Sequence, residues 1–173
     1  MTFELRKSLE ILSRTPQVLQ AQLSGLSNEW IVGNEGTGTW SPFDVVGHLI
    51  VCEETNFLPR TLFILASGEN KLLDSIDMTA HLHRNDRKTI DDLLDEFAQL
   101  RKGNLEKLQS IALTDRDFNK SAIHPKIGVV SIANVLSTWM AHDLTHLAQI
   151  NRVMAKQYKE EIGPFIHYLT RLQ

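Results

Sequence analysis

The sequence predicts an all-α fold, a four-helix bundle with long crossover loops and a short C-terminal helix. Four stretches carry apolar residues at the three- and four-residue intervals that place them on one helix face. No stretch alternates apolar and polar residues as a half-buried strand does. Helix starts are also marked, at Thr15-Pro16, Ser41-Pro42, Thr89 and Ser131. With 173 residues, 42% of them hydrophobic, the chain can bury one sizeable core, so a single domain over 1–173 is expected.

Charge and composition remove several function classes. A net charge of -3, with no basic cluster or aromatic ladder, gives no electrostatic footprint for nucleic acid. No apolar run approaches the length that crosses a bilayer, and the opening MTFELRKSLEILSR is amphipathic rather than a signal sequence, so no membrane association is expected. The lone cysteine, Cys52, has no internal partner for a disulfide, which fits a reducing cytoplasm.

Leu5, Leu9 and Leu12 begin the first helix, and Thr15-Pro16 interrupts it. Thr15 as cap with Pro16 at the first position predicts a kinked or two-part helix running to about Leu23. The glycines and asparagines between Ser24 and Thr39 predict a loop with little structure of its own. Ser41, Pro42 and Asp44 then make a strong start for the second helix, which carries Val45, His48 and Cys52 on one face. Gly47 costs that helix about 1 kcal/mol relative to Ala, which suggests a neighbouring backbone or an open site beside His48. Pro59 predicts a break near Asn56 with continuation to about Ala66, ended by Ser67-Gly68. The polar segment from Glu69 to Lys88 contains His81 and His83, expected to be exposed loop histidines.

Thr89 opens the third helix with Asp92 three residues on, a form of capping box. Its stripe of Ile90, Leu93, Leu94, Phe97, Leu100, Leu105 and Leu108 predicts a purely structural helix. The nearly twenty residues after Ala112 are long enough to cross the end of a bundle and cover a cavity there, from which His124 could approach a site. Ser131 caps the fourth helix, expected to run to about Lys156. Gly163-Pro164 starts a terminal helix whose Phe165, Ile166, Tyr168 and Leu169 should dock.

The chemistry lies in WMAHDLTHLAQINRV, Trp139 to Val153. His142 and His146 stand about 40° apart around a helix axis, the spacing at which both reach one metal ion. Val135, Trp139, Ile150 and Val153 share their face, so the imidazoles point inward and need a partner that a divalent cation can supply. An HxxxH pair also arises by chance, and a third ligand is what separates the readings. His48 supplies a candidate. Cys52, one turn from His48, is either packing or a fourth ligand. Asp143 points about 100° away from His142, so no general base is evident beside the pair.

Taken together, WSPFDVVGHL, HPKIGVVSIANVLSTWMAHDLTHLAQINR and GPFIHYL resemble the DinB-like family of metal-binding four-helix bundles, and RTPQVLQAQLSGL and EFAQLRKGNLEKL extend the likeness over nearly the whole chain. The resemblance implies a three-histidine site at His48, His142 and His146, with an acidic residue often found where Glu53 stands. It also implies thiol-dependent transferases that use small cellular thiols such as bacillithiol or mycothiol, although many members have no assigned activity. Zinc or nickel suits three imidazoles, with one coordination position left open. A thiolate-based S-transferase acting on a small electrophile beside Trp139 or Trp40 is the first reading. A metal-dependent hydrolase is the second, and a non-enzymatic metal-stabilised bundle the third. Asp44 and Gln149, each about one turn from a ligand, are expected to accept the outer ring N–H of His48 and His146. The family often dimerises, and a second stripe on the fourth helix, Leu136, Met140, Leu147 and Met154, offers either surplus core or a homodimer interface.

Overall fold

A computed structural model describes residues 3–67, 71–77, 79–84 and 87–169. The first bundle helix is in two parts, α1 (Leu5–Leu12) and α2 (Thr15–Leu23), with Pro16 in the first turn of α2. Thr15 does not cap it. Its hydroxyl donates back to the Ile11 carbonyl at 3.3 Å, and Arg14 occupies the cap position. The expected loop from Ser24 to Thr39 contains a short helix, α3 (Asn28–Val32), formed where Ile31 finds the core. This segment is tied to the end of the fourth bundle helix: Arg152 donates to Glu35 at 2.6 and 3.0 Å, and Trp30 stacks on Tyr158.

The second bundle helix begins as α4 (Pro42–Thr55). Asp44 N–H donates to the Ser41 hydroxyl, while the Asp44 carboxylate accepts from the Ser41 backbone N–H at 2.9 Å. The chain breaks at Asn56 (φ -107°, ψ -91°) and resumes as α5 (Phe57–Ser67). Pro59 explains the break, since it has no N–H for the Thr55 carbonyl and its ring would strike that group in a continuous helix. Gly68, expected to end this helix, lies outside the described residues.

The third bundle helix, α7 (Ile90–Ser110), opens on the reciprocal Thr89–Asp92 cap, and the fourth, α9 (Ile132–Lys156), on the same device between Ser131 and Asn134. Between Glu69 and Lys88 the chain forms α6 (Ala80–Arg84). The long crossing after Ala112 is not a plain loop: it holds α8 (Asp115–Phe118) and an antiparallel hairpin of β1 (Ser121–His124) and β2 (Gly128–Ser131). Ser121 pairs with Ser131 and His124 with Gly128, whose φ of 81° lets the three-residue turn close. Two four-residue strands are too short for an alternating pattern to register in sequence. Ile123 N–H donates to the Lys71 carbonyl at 2.8 Å, which pins the 71–77 segment along the hairpin.

α4 packs on both α7 and α9, α1 and α5 on α9, and α2 on α7. The apolar core divides into two clusters, one around Leu12, Phe57, Leu136 and Trp139, the other around Leu19, Leu49, Phe97 and Ile150. The second stripe of α9 is used within the chain: Leu136 is fully buried, and Met140, Leu147 and Met154 pack against these clusters. It therefore supplies surplus core rather than a free apolar face. The C-terminal segment differs from expectation. After α10 (Lys159–Ile162) it forms a 3₁₀ run (Gly163–Tyr168), where residues three apart share a side. Phe165 and Tyr168 fall together on the solvent side, 72% and 84% exposed, and do not dock. No described helix is long and apolar enough to cross a membrane.

Candidate metal centre

α4 and α9 face each other, so His48 meets His142 and His146 in the bundle interior. The three ring nitrogens converge: His142 Nε2 lies 3.2 Å from His48 Nε2 and 3.1 Å from His146 Nε2. Ligands bound at about 2.0–2.1 Å and subtending 90–110° at one ion stand about 2.9–3.4 Å apart, so these two edges have the length of a coordination polyhedron's, and all three ring nitrogens lie within 4.8 Å of one another. The sequence-predicted ligands are the three that come together.

The donor chemistry fits a cation as well as the spacing does. Burial pushes His48 down to about 4, helped by His146 and His81, and pushes His142 down to about 3, helped by His146, His48 and Arg101. Burial also lowers His146. All three are neutral at pH 7 and offer lone pairs. A hydrogen bond between two neutral imidazoles satisfies one lone pair, whereas one divalent ion satisfies all three. His146 is set for this role, because its Nδ1–H donates to Gln149 Oε1 at 2.8 Å, which holds the proton on Nδ1 and leaves Nε2 free to bind. That partner was the expected one. Gln149→Leu should lower metal affinity by about 10- to 100-fold, read by competition against a chromophoric chelator; unchanged affinity would remove Gln149 from the site.

Asp44 does not play the matching part for His48. Its carboxylate turns back to cap Ser41, and His48 Nδ1 is buried with no hydrogen-bond partner among the described residues, as is His142 Nδ1. The capping box wins because it satisfies the otherwise orphaned Ser41 N–H at the helix start.

His81 is the largest departure from expectation at the site. It is buried on α6, its ring edge-on to Trp40 at 4.6 Å and 5.7 Å from His48. The side chain of His83 lies outside the described residues. Trp40 in turn lies 4.8 Å from His48 and is stacked at 6.2 Å on His146, so Trp40 and His81 together roof the imidazoles. A five-residue helix carries too little periodicity to reveal such a position. Cys52 Sγ sits 3.5 Å from His48 Nε2, outside the converging nitrogen set, and burial pushes its thiol up to about 12. It packs as a protonated core thiol.

Beside the three histidines runs a buried ionic layer that links the two core clusters. Arg101 on α7 forks onto Asp143 at 2.6 and 3.0 Å, donates to Glu53 at 2.8 Å and to the Leu12 carbonyl at 2.9 Å. Glu53 also accepts from Trp139 Nε1 and Asn104 Nδ2, each at 2.9 Å. Burial alone would lower Arg101, but Asp143 and Glu53 outweigh it and hold the guanidinium above its ordinary value. Asp143, between His142 and His146 in sequence, is thus fully engaged as a structural partner. The expectation of a purely structural third helix missed Arg101, although the residue falls four after Phe97 on that helix's apolar stripe, where a charge signals a buried partner.

A cavity of about 640 Å³ opens on the hairpin side of the site, lined at its buried end by Cys52, Phe57, Val135 and His142. The crossing therefore does cover a cavity. His124 lines it too, apart from the converging nitrogens. Neither Trp40 nor Trp139 lines it, so the apolar pocket expected beside them lies along the hairpin instead.

Neutral imidazoles shielded from protons predict how the metal-free protein responds to acid. Each folded pKa lies below the ordinary 6.5, so the unfolded chain binds more protons and stability is lost as pH falls from about 6.5 toward 4. The urea midpoint should fall between pH 6.5 and 5, above the carboxylate range, and His48→Gln with His142→Gln should flatten that limb. A wild-type midpoint constant over this window would contradict the shielding.

A helical bundle with three imidazoles converging in its interior defines a class, the bundles able to hold one cation between facing helices. The chain belongs to the DinB superfamily, whose family model matches residues 11–150. In structure it is similar to YfiT from Bacillus subtilis, described as a probable metal-dependent hydrolase with an unusual four-helix bundle topology. The two share 19% identity at a TM-score of 0.75, over 88% of this chain and 87% of that one. No curated protein sequence matches the chain.

Proposed function

We propose that this protein is a metal-dependent S-transferase that joins a small cellular thiol to a small-molecule electrophile. Zinc or nickel is the proposed ion, held by His48, His142 and His146. When bound, such an ion supplies Lewis acidity at its open position, where a thiol loses its proton near neutral pH. The observation that carries the reading is the state of the carboxylates. Asp143 and Glu53 are committed to Arg101, and no carboxylate lines the cavity among the described residues. A water nucleophile therefore finds no carboxylate on the cavity to take its proton, whereas a thiol of higher acidity needs less help.

In the proposed step the thiol sulfur forms a C–S bond as the bond from that carbon to its leaving group breaks. The leaving group departs with the electron pair, and the thiol proton passes to solvent. Gln149 orients His146, Trp40 and His81 exclude water from the imidazoles, and the cavity wall beside His142 holds the electrophile. Hydrolysis is the second reading, favoured by the description of YfiT. Untagged protein loaded with zinc or nickel should consume bacillithiol, cysteine or coenzyme A with 1-chloro-2,4-dinitrobenzene and release chloride. Turnover of p-nitrophenyl esters without thiol dependence would favour the hydrolase, and stoichiometric metal without turnover of either kind would favour a non-enzymatic role. A homodimer is also proposed, on the family resemblance alone; a monomer mass by light scattering at micromolar concentration would reject it.

A further inference from the structure

The cavity beside His142 has a gradient along its length. Its inner wall is buried and apolar, with Phe57, Leu73 and Val135, while its outer rim is the hairpin, where Ile127 and Val129 are 73% and 69% exposed. Two cations stand on this cavity, Arg60 from α5 and Lys126 from the turn. Neither makes an ion pair among the described residues. Arg60 Nη2 donates to the Asp74 backbone carbonyl at 2.9 Å, and half-burial pushes the guanidinium below its usual value despite the nearby Asp74 charge. Asp74 thus offsets part of its charge without forming an ion pair.

His124 adds a neutral donor to the pair. Its Nδ1 accepts the Lys126 backbone N–H at 3.2 Å, which leaves the ring proton on Nε2. Burial lowers His124, and the charges of Arg60 and Lys126 lower it further, so the ring is uncharged and all three groups lie within electrostatic reach of one another. An apolar inner wall with two cations that form no ion pair among the described residues fits one ligand chemistry. The volume of about 640 Å³ falls inside the range of about 300–1,000 Å³ typical of small-molecule sites.

We propose that this cavity binds a small organic carboxylate, its anionic end held by Arg60 and Lys126 and its apolar body lying inward toward His142 and Cys52. The proposal names a substrate class for the reaction above, and rests on that reading only for what happens at the inner end. The carboxylate fixes the molecule by its outer end, and the carbon presented to the imidazole site is several bonds removed from it. Charge-assisted hydrogen bonds from a guanidinium and an ammonium are the strong kind, so the anion decides affinity while the apolar wall tolerates different bodies.

Calorimetric titration of the metal-free protein with octanoate, octanamide and octylamine tests it, because without an ion the carboxylate has only side chains to meet. Octanoate should bind at least about 10-fold more tightly than octanamide, with octylamine weakest. Arg60→Gln and Lys126→Gln should each remove most of that preference and leave octanamide binding within about twofold. Lys126 is the sharper probe, since Arg60 also lines a separate cavity of about 400 Å³ with Asp74 and Asp77, which Lys126 does not reach. Equal binding of octanoate and octanamide, no binding of either, or a preference untouched by Lys126→Gln would overturn the proposal. Failure of the transferase reading is seen separately, as absent thiol turnover with octanoate affinity intact.

Discussion

Replacing Arg101 by methionine should destabilise the protein by about 3–5 kcal/mol, enough to remove much or all of the stability of an ordinary domain. The guanidinium neutralises two carboxylates that are otherwise shut away from water, and Glu53, Arg101 and Asp143 are each no more than 3% exposed. Deleting the cation leaves both acids to be protonated or to draw water between α4, α7 and α9. The same layer aligns Asp143 between His142 and His146, so metal affinity should fall in whatever fraction remains folded. A triple variant, Arg101→Met with Glu53→Gln and Asp143→Asn, removes the uncompensated charge as well as the pair and should recover part of the loss. Urea unfolding followed by circular dichroism reads both. A loss below about 1 kcal/mol for Arg101→Met would show that the ionic layer is solvated in solution and does not hold the bundle.

His142→Ala should reduce metal affinity by more than about 100-fold, beyond the 10- to 100-fold typical of losing an outer hydrogen-bond partner. His142 is the shared vertex of the site, within 3.2 Å of both other ring nitrogens, so its loss leaves two ligands on separate helices. Metal content of untagged protein by mass spectrometry, with calorimetric titration of zinc and nickel, measures the effect. His167→Ala is the control, since that histidine is exposed on the C-terminal segment and should change nothing. Full occupancy in His142→Ala with unchanged helix content would show that the ion binds elsewhere.

What could be read from the chain was local. Ser41, Thr89 and Ser131 each lie three residues before the acid or amide that completes the cap, and a reciprocal hydrogen bond over that distance needs no tertiary partner. Pro59 forces a break wherever its helix packs. His142 and His146 share a face by helical geometry alone, His48 stood out on the apolar face of its own helix, and the family likeness joined it to the pair. Where two local rules competed, at Asp44, the cap prevailed over the outer contact to His48. The contacts that complete the site join residues far apart in sequence. Arg101 reaches Glu53 and Asp143 across 48 and 42 residues, and the roof joins Trp40 to His81 across 41. Such pairs depend on which helices face each other, and no period within one segment encodes that. The hairpin obeys the same logic: its short strands gain their ladder from each other and from the 71–73 segment, so the cavity they wall exists only once the bundle has closed around it.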